Sequence, residues 1–152
     1  MLFVRLMLES DIDAIVEMAK ENVFSTKLDD VSHFSEACVR GTCRRSIDTG
    51  NPIFFVVEKD RKVIGFLQMG LSNYDFRDGF YTTQRVLYVS PENRGTRASV
   101  LLMRRLVDES VRLGAAEIVG GNDNDFMSDR TARFLEHFGF KRVGFAMTKR
   151  IG

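Results

Sequence analysis

The chain has 152 residues, about one domain's worth of protein, enough to bury roughly two-thirds of the surface its unfolded form exposes. Hydrophobic residues make up 44% and charged residues 28%, an ordinary globular balance. Lys+Arg 22 against Asp+Glu 21 leaves a formal charge of +1, which argues against a chain-wide basic surface for nucleic acid and against a disordered polyanion. No apolar run approaches the ~20 residues that span a bilayer. Met1 to Arg5 is followed at once by Glu9 and Asp11, unlike a signal peptide. The expectation is one domain over residues 1–152, cytoplasmic and without a membrane partner.

In chain order, Phe3 to Met7 reads as a short apolar strand. Ser10 with Asp13 makes a capping-box-like start, and Ile12, Ile15, Val16, Ala19 and Val23 follow at helical spacing. A second helix covers about Ser32 to Asp48, stopped by Gly50 and Pro52. Ile53 to Glu58 and Val63 to Gly70 are β-rich runs around the polar turn Lys59-Asp60-Arg61-Lys62, a hairpin. Leu71 to Gly79 reads as a loop and Phe80 to Val89 as another strand. Arg97 to Leu113 is a long helix capped by Gly114, with Leu102, Met103, Leu106, Val107 and Val111 along one side. Ala116 to Gly120 is a strand and Ser128 to Phe138 a helix ending at Gly139. Phe140 to Arg150 closes the chain as a strand. The order β-α-α-β-β-β-α-β-α-β is an α+β arrangement, a single mixed β-sheet flanked by helices.

Cys38 and Cys43 lie five apart in one helix and so on different faces, a poor match to a disulfide or a metal pair. His33 and His137 form no ligand spacing with them, and no metal is expected.

The chemistry concentrates in Val86-Leu87-Tyr88-Val89-Ser90-Pro91-Glu92-Asn93-Arg94-Gly95-Thr96-Arg97-Ala98-Ser99. A strand runs into a turn of small and cationic residues, and the turn feeds a helix start. Free amides point outward from a helix N-terminus and the helix dipole adds partial positive charge, which suits an anion such as a phosphate. Arg94 and Arg97 stand beside that point, with Arg104 and Arg105 further along the helix. Gly95, Ala98 and Ser99 keep the backbone accessible there. The same pattern also reads as an ordinary strand-to-helix turn with a solvated arginine face.

In these residues the chain resembles the GNAT superfamily of acyl-CoA-dependent N-acyltransferases, and the resemblance covers nearly all of it. It takes in the opening strand with two helices, the hairpin strand starting Val63-Ile64-Gly65-Phe66, the strand-loop-helix from Leu87 to Leu106, and the last helix leading into Gly139-Phe140. The family's phosphate loop, Gln/Arg-x-x-Gly-x-Gly/Ala, falls on Arg94 to Ser99. Arg94 matches it, whereas Arg97 and Ser99 replace the usual Gly and Gly/Ala. Loops resembling Arg-Gly-x-Arg-Ala occur among phage-type members.

The resemblance implies acetyl-CoA or a related acyl-CoA as donor cosubstrate. It places Leu87, Tyr88 and Val89 along the pantetheine arm, and the amides of Gly95, Thr96, Arg97, Ala98, Ser99 and Val100 on the pyrophosphate. Ser128 stands where the family often has an Asn on the cofactor arm, and it equally suits an N-cap. The catalytic base implied is Asp123, with Asp125 as its neighbour, in a run that also makes turns; Gln68 and Tyr88 are alternatives that position a water. Leu135 occupies the place of the family's usual acid tyrosine. Tyr74, Phe76, Phe80 and Tyr81 border the implied acceptor pocket, where they serve substrate, a dimer contact or the core. The acceptor implied is a primary amine of a small molecule or a protein. Two alternatives stand beside it: a nucleobase-modifying enzyme acting on DNA or tRNA, and a non-catalytic acyl-CoA-binding or interaction module. A homodimer is a further expectation.

Overall fold

The structure, a computed structural model, describes residues 1–26, 33–121 and 128–152, the side chains of 24–26 and 128 excepted. Five strands form one sheet in the order β1-β2-β3-β4-β5: Leu2–Leu6, Ile53–Lys59, Lys62–Asn73, Phe80–Val89 and Glu117–Val119. The first three pairings are antiparallel and β4 pairs β5 in parallel. A parallel pair needs a crossover, here helix α3, Ala98–Leu113. The other helices are α1 (Ile12–Thr26), α2 (Glu36–Thr49) and α4 (Ser128–Glu136). The single mixed sheet flanked by helices agrees with the sequence reading.

Alternation along the strands divides the core between the two faces of the sheet. Phe54, Val56, Phe66 and Tyr88 pack with Ile12, Ile15 and Val16 of α1 and Cys43 of α2. Phe55, Val57, Leu67, Met69 and Val89 pack with Ala98, Leu102, Met103 and Leu106 of α3 and Leu135 of α4. The β2–β3 hairpin closes on Asp60 and Arg61 at φ 52° and 66°. Two consecutive positive φ angles make a primed turn, whose twist matches that of the strands.

Three expectations are corrected. The first helix is not opened by Ser10 and Asp13. A 3-10 turn over Glu9–Asp11 precedes it, and Asp11 takes the Leu8 N–H at 2.7 Å while Arg5 grips its carboxylate. The second helix starts at Glu36 behind the Ser35 cap, whose hydroxyl accepts from the Cys38 N–H; Ser32 lies outside the described residues. The strand expected over Phe140 to Arg150 joins no ladder with the five strands among the described residues, and residues 141–152 are exposed throughout. A strand exists through its ladder, and without one the segment has no strand structure. Smaller shifts lengthen β3 to Asn73 and shorten β5 to three residues.

Candidate functional site

Strand β4 changes character half-way along. Its pairing with β5 is confined to Tyr81–Thr83 against Glu117–Val119, and beyond Thr83 no strand borders it on that side among the described residues. On the β3 side the register jumps from Gln68↔Val86 to Met69↔Gln84. Arg85 is thus the extra residue of a bulge, a device that bends a strand and interrupts its pairing. Gln84, buried, spans the fork: its Oε1 accepts the Gly121 N–H at 3.2 Å.

The ladder fixes which backbone groups face the gap. Ser90 donates to the Ile64 carbonyl at 2.8 Å, in register with Gly65↔Val89 and Phe66↔Tyr88. Antiparallel pairs alternate between bonded and non-bonded. Tyr88 therefore bonds to Phe66, while Leu87 and Val89 turn their N–H and C=O groups toward the open side. The Val89 carbonyl already accepts from Arg94 Nε at 2.9 Å. What remains for an incoming partner is the N–H and C=O of Leu87 and the N–H of Val89.

The following turn delivers the chain to α3. Pro91–Asn93 forms a 3-10 turn, Gly95 sits at φ 86° with open space around its Cα, and Arg97 caps the helix. That φ is a left-handed value that glycine adopts without strain. Thr96 folds inward: its hydroxyl donates to the Asn93 carbonyl at 2.6 Å and accepts the Ala98 N–H at 3.3 Å. Ala98 is fully buried in the core, not an open loop position, and its amide is occupied. The N–H groups of Arg97, Ser99 and Val100 have no acceptor among the described residues, as expected for the first turn of a helix. The expected row of six amides thus narrows to these three and Gly95.

The arginines do not gather as the sequence suggests. Arg94 lies against its own strand, over the Tyr88 ring at 5.4 Å as well as on the Val89 carbonyl. Arg105 packs over the Phe55 ring at 4.9 Å and reaches the Val4 carbonyl at 3.4 Å, on the far side of the helix start. Arg97 and Arg104 are exposed and make no ion pair among the described residues. Seven residues apart on one helix, they share a face.

Comparison with known proteins places this geometry. The sequence profile of the GNAT acetyltransferase domain matches residues 50–142, the stretch that carries β2 to α4. The chain belongs to the GNAT family. Among solved structures, a transcriptional regulator from Bacillus halodurans C-125 superposes with a TM-score of 0.82 at 18% identity, over 99% of this chain and 100% of that one. A predicted acetyltransferase from Clostridium acetobutylicum, crystallised with acetyl-CoA, gives 0.81 at 14% identity, over 99% and 96%. An aminoglycoside N-acetyltransferase in complex with CoA gives 0.80 at 12% identity, over 99% and 95%. At such identities the likeness is one of fold. No curated protein sequence matches the chain.

In this GNAT chain the side chains singled out from the sequence have diverse fates. Tyr88 presents neither its backbone nor a free phenol. Its ring is buried beside Phe66, centroids 6.2 Å apart, and its hydroxyl donates to Glu21 of α1 at 2.6 Å. Burial first, and then that carboxylate, push the phenol well above its ordinary range, so it holds its proton. Leu135 is buried in the α3-side core. Asp123 and Asp125 lie outside the described residues, and Ser128 opens α4 with its side chain likewise outside them. Tyr74, Phe76 and Tyr81 cluster, with Tyr74 5.0 Å from Tyr81 and its hydroxyl on Glu117 at 2.6 Å; that carboxylate raises the Tyr74 phenol. Phe80 borders a separate hollow with Asn51 and Leu71. Cys43 is buried, which pushes its thiol up to about 11. No trio of His, Cys, Asp or Glu converges on a metal-sized site among the described residues. Sequence reading missed the bulge at Arg85 and the bridging Gln84. Their signal was the run Thr82-Thr83-Gln84-Arg85, polar on both faces of a strand that must be interior.

Proposed function

We propose that the chain transfers an acyl group from acetyl-CoA, or a related acyl-CoA, to a primary amine of a small molecule or a protein. The observation that carries the reading is one juxtaposition. The open edge of β4, with the Leu87 N–H and C=O and the Val89 N–H unclaimed among the described residues, runs directly into the unclaimed amides of Gly95, Arg97, Ser99 and Val100. An extended amide-bearing arm ending in a pyrophosphate fits that sequence of donors and acceptors. The β4 edge takes the arm's amides as an added strand would, and the α3 start takes its phosphates. Arg97 lends a full charge at the same point and replaces the family's glycine without blocking it, because its side chain lies in solvent. Two of the solved structures that share the fold are named as complexes with acetyl-CoA or CoA.

When bound, the thioester supplies an activated acyl group open to direct attack by an amine. The chain's own contribution is to place the two partners and to move protons. An amine is protonated near neutral pH and must lose a proton before it attacks. Asp123, two positions beyond the Gly121 that Gln84 holds at the fork, is the proposed base. Leu135 offers no proton to the departing thiolate. A thiol with a pKa near ~8.5 leaves adequately without one.

The test is a melt with and without acetyl-CoA. Saturating ligand at ~100 times its Kd adds about 2.7 kcal/mol of stability. Arg97→Glu should remove most of that gain without lowering the unliganded Tm. Asp123→Asn should keep the gain and reduce thiol release in the presence of an amine. The absence of any shift with acetyl-CoA or longer acyl-CoA refutes donor binding, and full turnover by Asp123→Asn refutes the base.

A further inference from the structure

We propose that Arg85, seated over Gly70 on the α1/α2 face of the sheet, binds an oxyanion of the amine acceptor, a carboxylate or a phosphate borne a few bonds from the amine. A bulge re-aims the side chain it carries, and the extra residue of β4 is this arginine. A glycine fixes its position. A Cβ built at Gly70 would lie 2.5 Å from Arg85 Nε and 3.1 Å from both Cζ and Nη2. The guanidinium therefore fills the space that a side chain on β3 would take, and Gly70 is buried while Arg85 itself is exposed. Glycine at that position is what admits so close an approach. The face follows from alternation: Met69 and Leu71 pack on the α3 side, so Gly70 turns toward the side of α1 and α2.

The charge on that seat is uncommitted. Arg85 makes no ion pair, hydrogen bond or ring contact among the described residues, whereas Arg94 and Arg105 each hold a ring and a carbonyl. The apolar cluster beneath α1 and α2 reaches the row of Phe54 and Val86, between which Gln68 stands. The next row is Gly70 with its cross-strand partner Thr83. Gln68 and Thr83 are half-buried, and neither side chain makes a hydrogen bond among the described residues. A positioned guanidinium beside two unclaimed polar side chains suits an oxyanion, because its fork meets carboxylate and phosphate alike through paired N–H groups.

That this oxyanion belongs to the acceptor rests on the acyl-transfer reading. On that reading the arm passes Val89 and then Leu87 from the α3 start, so its thioester end arrives at the bulge. Gly70 lies on the adjacent strand, about 4.8 Å away. An oxyanion on Arg85 thus leaves an amine a few bonds off within reach of the thioester carbon. The same cation disfavours the protonated form of that amine. An acceptor without the oxyanion meets only the repulsion, which is how one residue selects between the two classes.

The test follows the Arg85 Nε–H resonance in nitrogen-labelled full-length protein, identified by its absence from Arg85→Gln. The probes are free glycine against glycinamide, and O-phosphoethanolamine against ethanolamine. The resonance should shift saturably with an anionic probe, at an affinity roughly tenfold or more above that of its neutral partner. Which anionic probe does so separates a carboxylate ligand from a phosphate. In thiol-release assays with acetyl-CoA, Arg85→Gln and Gly70→Ala should each reduce the anionic-over-neutral preference in kcat/KM by roughly tenfold or more, through KM rather than kcat. Gly70→Ala keeps the arginine and displaces only the far end of a flexible side chain, so it folds and tests the seat itself. Failure of the acyl-transfer reading shows as no melting shift with acetyl-CoA, whereas the Arg85 titration is read without acetyl-CoA and decides the anion site separately. A resonance that responds alike to charged and neutral probes, or a preference that either variant leaves intact, overturns the proposal.

Discussion

Gly65→Ala tests the ladder that shapes the candidate donor site. A Cβ built at Gly65 would lie 2.7 Å from the Tyr88 carbonyl oxygen, 3.1 Å from Val57 Cγ1 and 3.2 Å from Val89 Cγ2. The first contact is with backbone, so it is relieved only if β3 and β4 separate by about half an ångström, which stretches the Phe66–Tyr88 pairing. Overpacking of this kind costs typically 1–3 kcal/mol, and a weakened hydrogen bond adds up to ~1 kcal/mol. Against this, removing a glycine from the unfolded chain returns about 0.4–1 kcal/mol. The net expectation is a loss of about 1–3 kcal/mol, or a Tm lower by roughly 2–10 °C for a chain of this size. Gly41→Ala supplies the opposite sign in the same assay. It lies exposed within α2 with nothing inside 4 Å of its added Cβ, so helix propensity alone should raise stability by about 0.5–1 kcal/mol. Both are read by calorimetry. Equal or same-signed shifts would show that the β3–β4 contact does not govern the ladder.

Asp11 should make stability acid-sensitive. The Arg5 guanidinium holds its carboxyl below the usual range, with the Leu8 N–H adding to the effect. Because the folded-state pKa is lowered, the contribution is present above the ordinary value near 3.8 and disappears as pH falls through the folded value. Melts from about pH 7 down to about pH 2.5 should show a steep loss below about pH 4. Asp11→Asn should be weaker by about 2 kcal/mol at neutral pH, and flatter below pH 4; an unchanged acid limb would discard the pair as its source. Thr82 and Ser110 share a hydrogen bond of 2.7 Å while both are buried. Ser110→Ala alone should cost about 1–3 kcal/mol by stranding the Thr82 hydroxyl, and Thr82→Val added to it should recover most of the loss. Additive losses in that cycle would show that the bond is not what holds α3 to β4.

The elements of the fold were legible because each is a local pattern carried by a periodic core. Ile12, Ile15 and Val16 give α1 its buried stripe, and Leu102, Met103 and Leu106 do the same for α3. Gly50 and Gly114 take the left-handed caps their positions suggest. The strand-loop-helix was legible for the same reason. What the sequence could not show are facts of register and of competition between partners. A bulge is visible only when two strands are aligned, so Arg85 read as an ordinary strand residue. That Thr96 takes the Ala98 amide depends on the local turn geometry, and that Tyr88 turns its backbone to β3 depends on the register of the ladder. The final strand failed for a related reason: its alternation is real, but alternation alone does not supply the neighbouring ladder that a strand needs.

The charge pattern shows the same limit in its sharpest form. Arg94, Arg97, Arg104 and Arg105 fall within twelve positions of a chain whose net charge is only +1, which invites a reading as one anionic pocket or one nucleic-acid face. Three dimensions divide them. Arg94 and Arg105 each lie over an aromatic ring and on a backbone carbonyl, and such bonds to a guanidinium are not surrendered without loss. Arg97 and Arg104 keep their donors free on one face of α3. An anion at the helix start therefore meets backbone amides and a single adjacent cation, a site suited to a compact pyrophosphate. A polyphosphate backbone bound by several parallel arginines would need the other two to leave their present partners. On the proposed function, this point takes a small anionic cosubstrate and not a strand of DNA or tRNA.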